Sequence, residues 1–175
     1  MMSERGTIPG ADGEAFGELA DRHLDEVYRY LVYLTGDRGL AEDLAADTFE
    51  RAFRDRGRFD PRRAAPRSWL LAIARSTALD HLRSERRRRV RDTTWARTAD
   101  AVDSAGFCDG YSAALEAALR SLSAADREVV ALRVLLDLDA AGAARLLGIT
   151  PTACTTRLSR ALGRLAQELE THELV

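Results

Sequence analysis

Residues 139–165 read DAAGAARLLGITPTACTTRLSRALGRL. Asp139 is placed to accept the free amides at the start of a short helix ending at Leu147. Gly148-Ile149-Thr150 then makes a tight turn. Thr150-Pro151 opens a longer helix to about Glu170, with Thr as cap and Pro at the first helical position, where its missing N–H costs nothing. A short helix, a three-residue turn and a long helix have the dimensions of a helix-turn-helix, whose second helix lies in the major groove with its first turns on base edges. Helical hairpins of similar length also occur as plain packing units, so spacing alone leaves both readings open. On the second helix Cys154, Leu158, Leu162, Leu165 and Leu169 recur at helical spacing and mark a core face. The other side carries Thr152, Thr155, Thr156, Ser159 and Arg160, with Arg157 near its edge. Hydroxyls and guanidinium groups can contact phosphates or bases, and Arg can bind guanine bidentately. Cys154, on the apolar stripe, reads as a buried small hydrophobe rather than a redox thiol.

The same punctuation organises the rest of the chain. Ser123-x-x-Asp126 is a helix-start signal, and a helix from about Tyr111 to Ser121 precedes it. Residues 90–110 lack periodicity and are rich in Asp, Thr, Ala and Gly, which predicts a linker and a domain boundary. Before it, Phe16, Ala20, Leu24, Val27, Leu31 and Leu34 form one helical stripe over Gly13 to Thr35. Gly36-Asp37 stops that helix and caps the next. The second helix, Arg38 to Arg56, places Leu40, Leu44, Phe49, Ala52 and Phe53 inward and its acids on other faces. After a break at Gly57-Arg58-Phe59-Asp60-Pro61, a third helix runs from Pro66 to about Arg89, with Trp69, Leu70, Ile73, Thr77 and Leu82 as its core side. The fold class is therefore all-α: two small helical domains joined by a linker, the second containing the helix-turn-helix.

Charge is divided along the chain. Residues 1–50 hold 12 acids and 4 arginines, net −8; residues 51–97 hold 15 arginines and 5 acids, net +10. The remaining segments are net −4 (98–137) and 0 (138–175), so the formal total of −2 conceals an acidic segment followed by a strongly basic one. Such asymmetry predicts one cationic and one polyanionic partner. The basic stretch interleaves Arg51, Arg54, Arg56, Arg58, Arg62, Arg63, Arg67, Arg75 and Arg86 to Arg89 with Phe59 and Trp69. Arginine neutralises phosphates and aromatic rings stack on unpaired bases; as an alternative, Phe59 and Trp69 are simply core residues.

Several classes are disfavoured. No apolar run approaches the roughly 20 residues that span a bilayer, and the acidic, polar stretch from Met1 to Ala15 is unlike a secretory signal; a cytoplasmic location is expected. Cys108 and Cys154 form no CxxC pair, and His23, His81 and His172 lack ligand-spaced partners. No phosphate-binding glycine loop or nucleophile elbow is present. No catalytic residues, cofactor or metal are expected.

Tyr30-Leu31 through Gly36-Asp37, Ala41-Glu42-Asp43-Leu44-Ala45-Ala46-Asp47-Thr48-Phe49-Glu50-Arg51-Ala52-Phe53, Arg58-Phe59-Asp60, Ser68-Trp69-Leu70-Leu71-Ala72-Ile73-Ala74-Arg75 and Asp80-His81-Leu82-Arg83 resemble the amino-terminal domain of extracytoplasmic-function sigma factors. Leu122, Arg127-Glu128-Val129-Val130, Leu146-Leu147-Gly148-Ile149 and Arg157-Leu158-Ser159-Arg160-Ala161 resemble their carboxy-terminal domain. The resemblance implies a region 2-like domain over 11–89, a linker over 90–110 and a region 4-like domain over 111–172. It implies a non-enzymatic subunit that binds core RNA polymerase, through its beta-prime and beta subunits, and promoter DNA, with an anti-sigma factor as a further partner. Asp43, Asp47 and Glu50 match the polymerase-gripping helix. Arg58, Phe59, Arg62, Arg63, Arg67, Trp69 and Arg75 match the reader of the melted minus-ten element. Thr152, Thr155, Thr156, Arg157 and Arg160 match the minus-thirty-five reader. The chain departs from the family pattern at Ala46, usually Gln, at Gly142, usually acidic, and at Thr155, usually Lys. With a neutral second domain, these departures leave open a sigma-like protein-interaction regulator that reads DNA poorly.

Overall fold

The computed structural model describes residues 13–92 and 112–173, and every regular element among them is helical. Three helices, α1 (Gly13–Thr35), α2 (Arg38–Asp55) and α3 (Pro66–Asp92), pack into the first domain. In the second, α4 (Ala113–Ser121), α5 (Ala124–Val130) and α6 (Ala140–Leu147) surround α7 (Pro151–Glu173). The expected linker lies outside the described residues, apart from its first three positions, which continue α3.

Capping chemistry decides the boundaries. Asp37 accepts from the Leu40 amide at 3.0 Å, after Gly36 turns the chain at φ +72°. Ser112 caps α4 through the Leu115 amide, and Ser123 caps α5 through the Asp126 amide. Asp139 accepts from the Gly142 amide at 2.6 Å, Gly148 closes α6 in the left-handed conformation, and Thr150 accepts from the Ala153 amide at 3.2 Å. Each cap satisfies an amide that the helix itself leaves without a partner.

The expected core faces need three corrections. Leu24, Phe53 and Leu162 are 45%, 41% and 42% exposed. Leu24 on α1 and Leu162 on α7 keep much of their apolar surface open among the described residues. Phe53 sits at the bundle edge, its ring edge-on to Phe16 with centroids 5.3 Å apart and the Arg56 guanidinium 3.8 Å above it. Val134 is exposed because the chain widens into a π-helical turn over Ala131–Leu135. There the Leu136 amide reaches Ala131 O and the Leu138 amide reaches Leu132 O, both at 2.9 Å, so the residues fall out of α-helical register. Conversely, five consecutive residues, Tyr30 to Leu34, are all buried. A single stripe would bury only some of them, but this end of α1 is enclosed by α2 and α3 on one side and by α5 and the π turn on the other. The two domains therefore share one continuous apolar core, with α1 against α5 and α3 against α6.

Candidate nucleic-acid interface

The acidic ridge of α2 forms as helical spacing requires. Asp43, Asp47 and Glu50, at i, i+4 and i+7, are all exposed, while Leu44, Ala45 and Thr48 on the opposite side are buried. Asp47 and Glu50 border an open groove of about 420 Å³ between α2 and α3; Asp43 does not. Its other walls include Arg51, Arg54, Asp80 and His81, none of which was expected there. Arg54 pairs with Glu50, and Arg51 lies 3.9 Å from Asp80, so the acids sit within a mixed-charge rim.

The arginines of the basic segment divide into exposed and sequestered ones. Arg58 and Arg63 have side chains 87% and 88% exposed, with only loose contacts to Asp55 at 3.5 Å and Asp60 at 3.9 Å. Arg62 is exposed, and its backbone amide donates to Asp60 Oδ1 at 2.9 Å, which fixes the turn. Phe59, expected as a stacking surface, is instead 5% exposed, its ring 4.9 Å from that of half-buried Trp69. The two rings anchor the loop to the core, because burying apolar area outweighs presenting it to water.

Arg67 and Arg75 point into the junction between the domains. Arg67 donates to Glu26 of α1 and to the backbone carbonyl of Leu136 in the second domain. Arg75 donates through Nε to Glu128 Oε1 at 2.7 Å and through an Nη to Oε2 at 3.4 Å. Glu128 Oε1 also accepts from the Tyr30 hydroxyl at 2.8 Å. Glu128 is 5% exposed and Tyr30 fully buried, so this carboxylate is a buried charge held by first-domain donors. Burial pushes the Tyr30 phenol well above its ordinary range; the adjacent Glu128 carboxylate adds to the rise and Arg75 opposes it. None of this network was anticipated from sequence: Glu128 lies 53 residues from Arg75 and 98 from Tyr30.

On α7, Thr152, Thr155, Thr156 and Arg160 are exposed and Arg157 is half-buried. Cys154 is fully buried, and burial raises its thiol pKa. Thr152, Thr156, Arg157 and Arg160 border an open groove of about 440 Å³, together with Arg164, which the sequence reading omitted. Arg157, Arg160 and Arg164 fall at i, i+3 and i+7, a spacing that places them on one face. Arg164 is held 3.0 Å from Asp126. Thr155 lies outside this groove, its hydroxyl turned back to Pro151 O at 3.1 Å. Arg157 and Arg160, beside the hydroxyls of the first turns of α7, suit phosphate and base-edge contacts.

Among the described residues, no helix is long and apolar enough to cross a membrane, and no group of His, Cys, Asp and Glu is arranged to hold a metal ion. Residues 19–88 match Sigma-70 region 2 and residues 112–165 match Sigma-70 region 4. The chain is 37% identical over 173 residues to the ECF RNA polymerase sigma factor BldN of Streptomyces coelicolor, covering 97% of this chain and 66% of that protein. It is 34% identical over 165 residues to the ECF RNA polymerase sigma factor SigC of Mycobacterium tuberculosis, covering 93% and 88%. The solved structure of the sigma factor RpoE in complex with the anti-sigma factor NepR from Bartonella quintana superposes with a TM-score of 0.75 at 25% identity, over 90% of this chain and 98% of that one. Two region matches in order, and a relative shared over most of both lengths, agree with the helix-turn-helix, the acidic ridge and the basic loop: the chain belongs to the extracytoplasmic-function sigma factors of bacterial RNA polymerase.

Proposed function

We propose that this sigma factor docks on the core polymerase through the acidic ridge of α2, reads melted minus-ten DNA with the loop and α3, and reads the minus-thirty-five duplex with α7. The exposed arginines Arg58, Arg62 and Arg63, on a loop pinned by buried Phe59 and half-buried Trp69, are the observation that carries the reading. An exposed guanidinium on a fixed loop, with no more than a loose carboxylate contact, is available to a phosphate at little cost. Asp43, Asp47 and Glu50 supply the complementary charge for a basic surface of the beta-prime subunit; the beta subunit is a further contact of the holoenzyme. Arg67 and Arg75 join the DNA contacts when the domains separate. Thr152, Thr156, Arg157 and Arg160, with Thr155 beside them, form the duplex surface. The work is non-enzymatic and takes place in the cytoplasm. An anti-sigma factor is the further partner, as NepR is for the RpoE whose fold this chain shares.

Reconstitution with core polymerase on a promoter library tests the reading. Promoter-specific transcription that depends on the chain is expected. Replacing Arg58, Arg62 and Arg63 with Ala should flatten the salt dependence of promoter binding and shrink the permanganate-reactive bubble, since each lost phosphate contact removes about one unit from the salt slope. An unchanged footprint would remove the loop from the DNA interface.

A further inference from the structure

We infer that Arg164, held over the α7 groove by Asp126 of α5, binds a backbone phosphate of duplex DNA at the edge of the major groove. The inference deepens the duplex-reading role proposed for α7 and rests on it. Arg164 Nη2 lies 3.0 Å from Asp126 Oδ2. Asp126 is 6% exposed. Its Oδ2 accepts from the Ser123 hydroxyl at 2.7 Å, and its amide donates to Ser123 Oγ at 3.2 Å. The carboxylate is thus part of the cap of α5 and has a fixed position. Arg164, by contrast, keeps 52% of its side chain exposed.

A guanidinium carries five N–H donors in a rigid fork. One carboxylate oxygen cannot use them all, so the pair leaves donors for a second anion. Arg164 and Asp126 border the same open groove as Thr152, Thr156, Arg157 and Arg160, which is where that anion would arrive. A long side chain already held at one point loses less freedom when it binds. Position along the helix then selects a phosphate over a base. Arg164 follows Thr152 by about 18 Å of helix at 1.5 Å per residue. The major groove is only about 12 Å wide. With the first turns of α7 on base edges, Arg164 lies past the groove floor, over the sugar-phosphate strand that bounds it.

The test measures binding of the holoenzyme to a fluorescein-labelled duplex promoter taken from the library, by anisotropy over a range of salt concentrations. Arg164→Ala should weaken binding by about tenfold at about 0.1 M salt and lower the salt slope by about one unit. The loss should be the same for every base substitution in the upstream element, because a phosphate carries no sequence. Arg164→Lys should restore most of the slope, since it restores the charge. Arg164→Ala also bares the Asp126 carboxylate, so the substitution is repeated in an Asp126→Asn background, where the same loss is expected. An unchanged slope in Arg164→Ala would overturn the proposal, even with weaker binding and a lower melting temperature, because it would leave Arg164 a purely structural tie between α5 and α7. A loss that disappears in the Asp126→Asn background, or that varies with base sequence, would overturn it as well. Failure of the α7 reading itself is distinguishable: there, Arg160→Ala and base changes in the upstream element are also silent, whereas they still weaken binding if the role of Arg164 alone is wrong.

Discussion

The Tyr30 hydroxyl donates to Glu128 Oε1 at 2.8 Å, joining α1 of the first domain to α5 of the second. Both groups are buried, and the carboxylate is also bound by Arg75. A hydrogen bond to a charged group contributes about 1.5–3 kcal/mol, more than a neutral one, so the contact adds to the apolar packing that joins the two domains.

Tyr30→Phe should destabilise the chain by about 1–2 kcal/mol, because the buried carboxylate loses one of its donors. Urea denaturation followed by circular dichroism measures it. The pH dependence gives a second signature. The folded-state pKa of Tyr30 is raised, so the folded chain binds its proton more tightly than the unfolded chain does. The resulting stability is intact below the unfolded tyrosine pKa of about 10 and is lost as pH rises through the folded value. The chain has no lysine, so amine titration does not mask the alkaline signal. Tyr30→Phe should therefore flatten the alkaline fall in stability.

Reversing Asp47→Arg and Glu50→Arg should weaken binding to core polymerase by about tenfold, through lost attraction and new like-charge repulsion at an interface. Both side chains are exposed, so the fold should be unaffected. A pull-down with purified core at two salt concentrations measures this. Equal retention of the variant and the native chain at low salt would place the polymerase contact elsewhere.

Gly142→Ala opposes two effects. Alanine should favour α6 by about 1 kcal/mol through helix propensity. Its Cβ, however, would lie 2.7 Å from Asp139 Oδ1, the oxygen that caps this helix. Displacing that carboxylate forfeits a cap of about 0.5–2 kcal/mol and strains the turn. The expected result is a net loss of about 1 kcal/mol in thermal or urea unfolding. In an Asp139→Ala background the same substitution should become stabilising, because the clashing oxygen is gone.

Thr155→Lys should tighten binding of duplex DNA carrying the upstream promoter element. Thr155 is exposed in the first turns of α7, and its present hydrogen bond is to Pro151 O within the helix. A lysine there adds a charge without disturbing buried Cys154, Ala161 or Leu165. One new phosphate contact should add about one unit to the salt slope, and the gain should shrink at high salt. The holoenzyme should be titrated in both forms at two salt concentrations. Identical affinity at low salt would show that this turn of α7 does not face the DNA.

The helices, their order and most of their ends were legible in the chain because the signals act over three or four residues. Gly36-Asp37, Ser123-x-x-Asp126, Asp139 and Thr150-Pro151 each satisfy or terminate a helix locally, whatever lies across from it. The acidic ridge of α2 was legible for the same reason, since helical periodicity alone puts Asp43, Asp47 and Glu50 together.

Which faces are covered is a different matter. Periodicity places Leu24, Phe53 and Leu162 on apolar stripes, yet whether a neighbour covers a stripe depends on the packing of distant helices. The same packing encloses Tyr30 to Leu34 on every side and brings Glu128 from the second domain onto Arg75 and Tyr30 of the first. An exposed loop arginine such as Arg58 and a sequestered one such as Arg75 belong to the same basic run. What separates them is the docking of α5 and α6 on α1 and α3, a contact made by residues far apart in the chain and therefore written only in three dimensions.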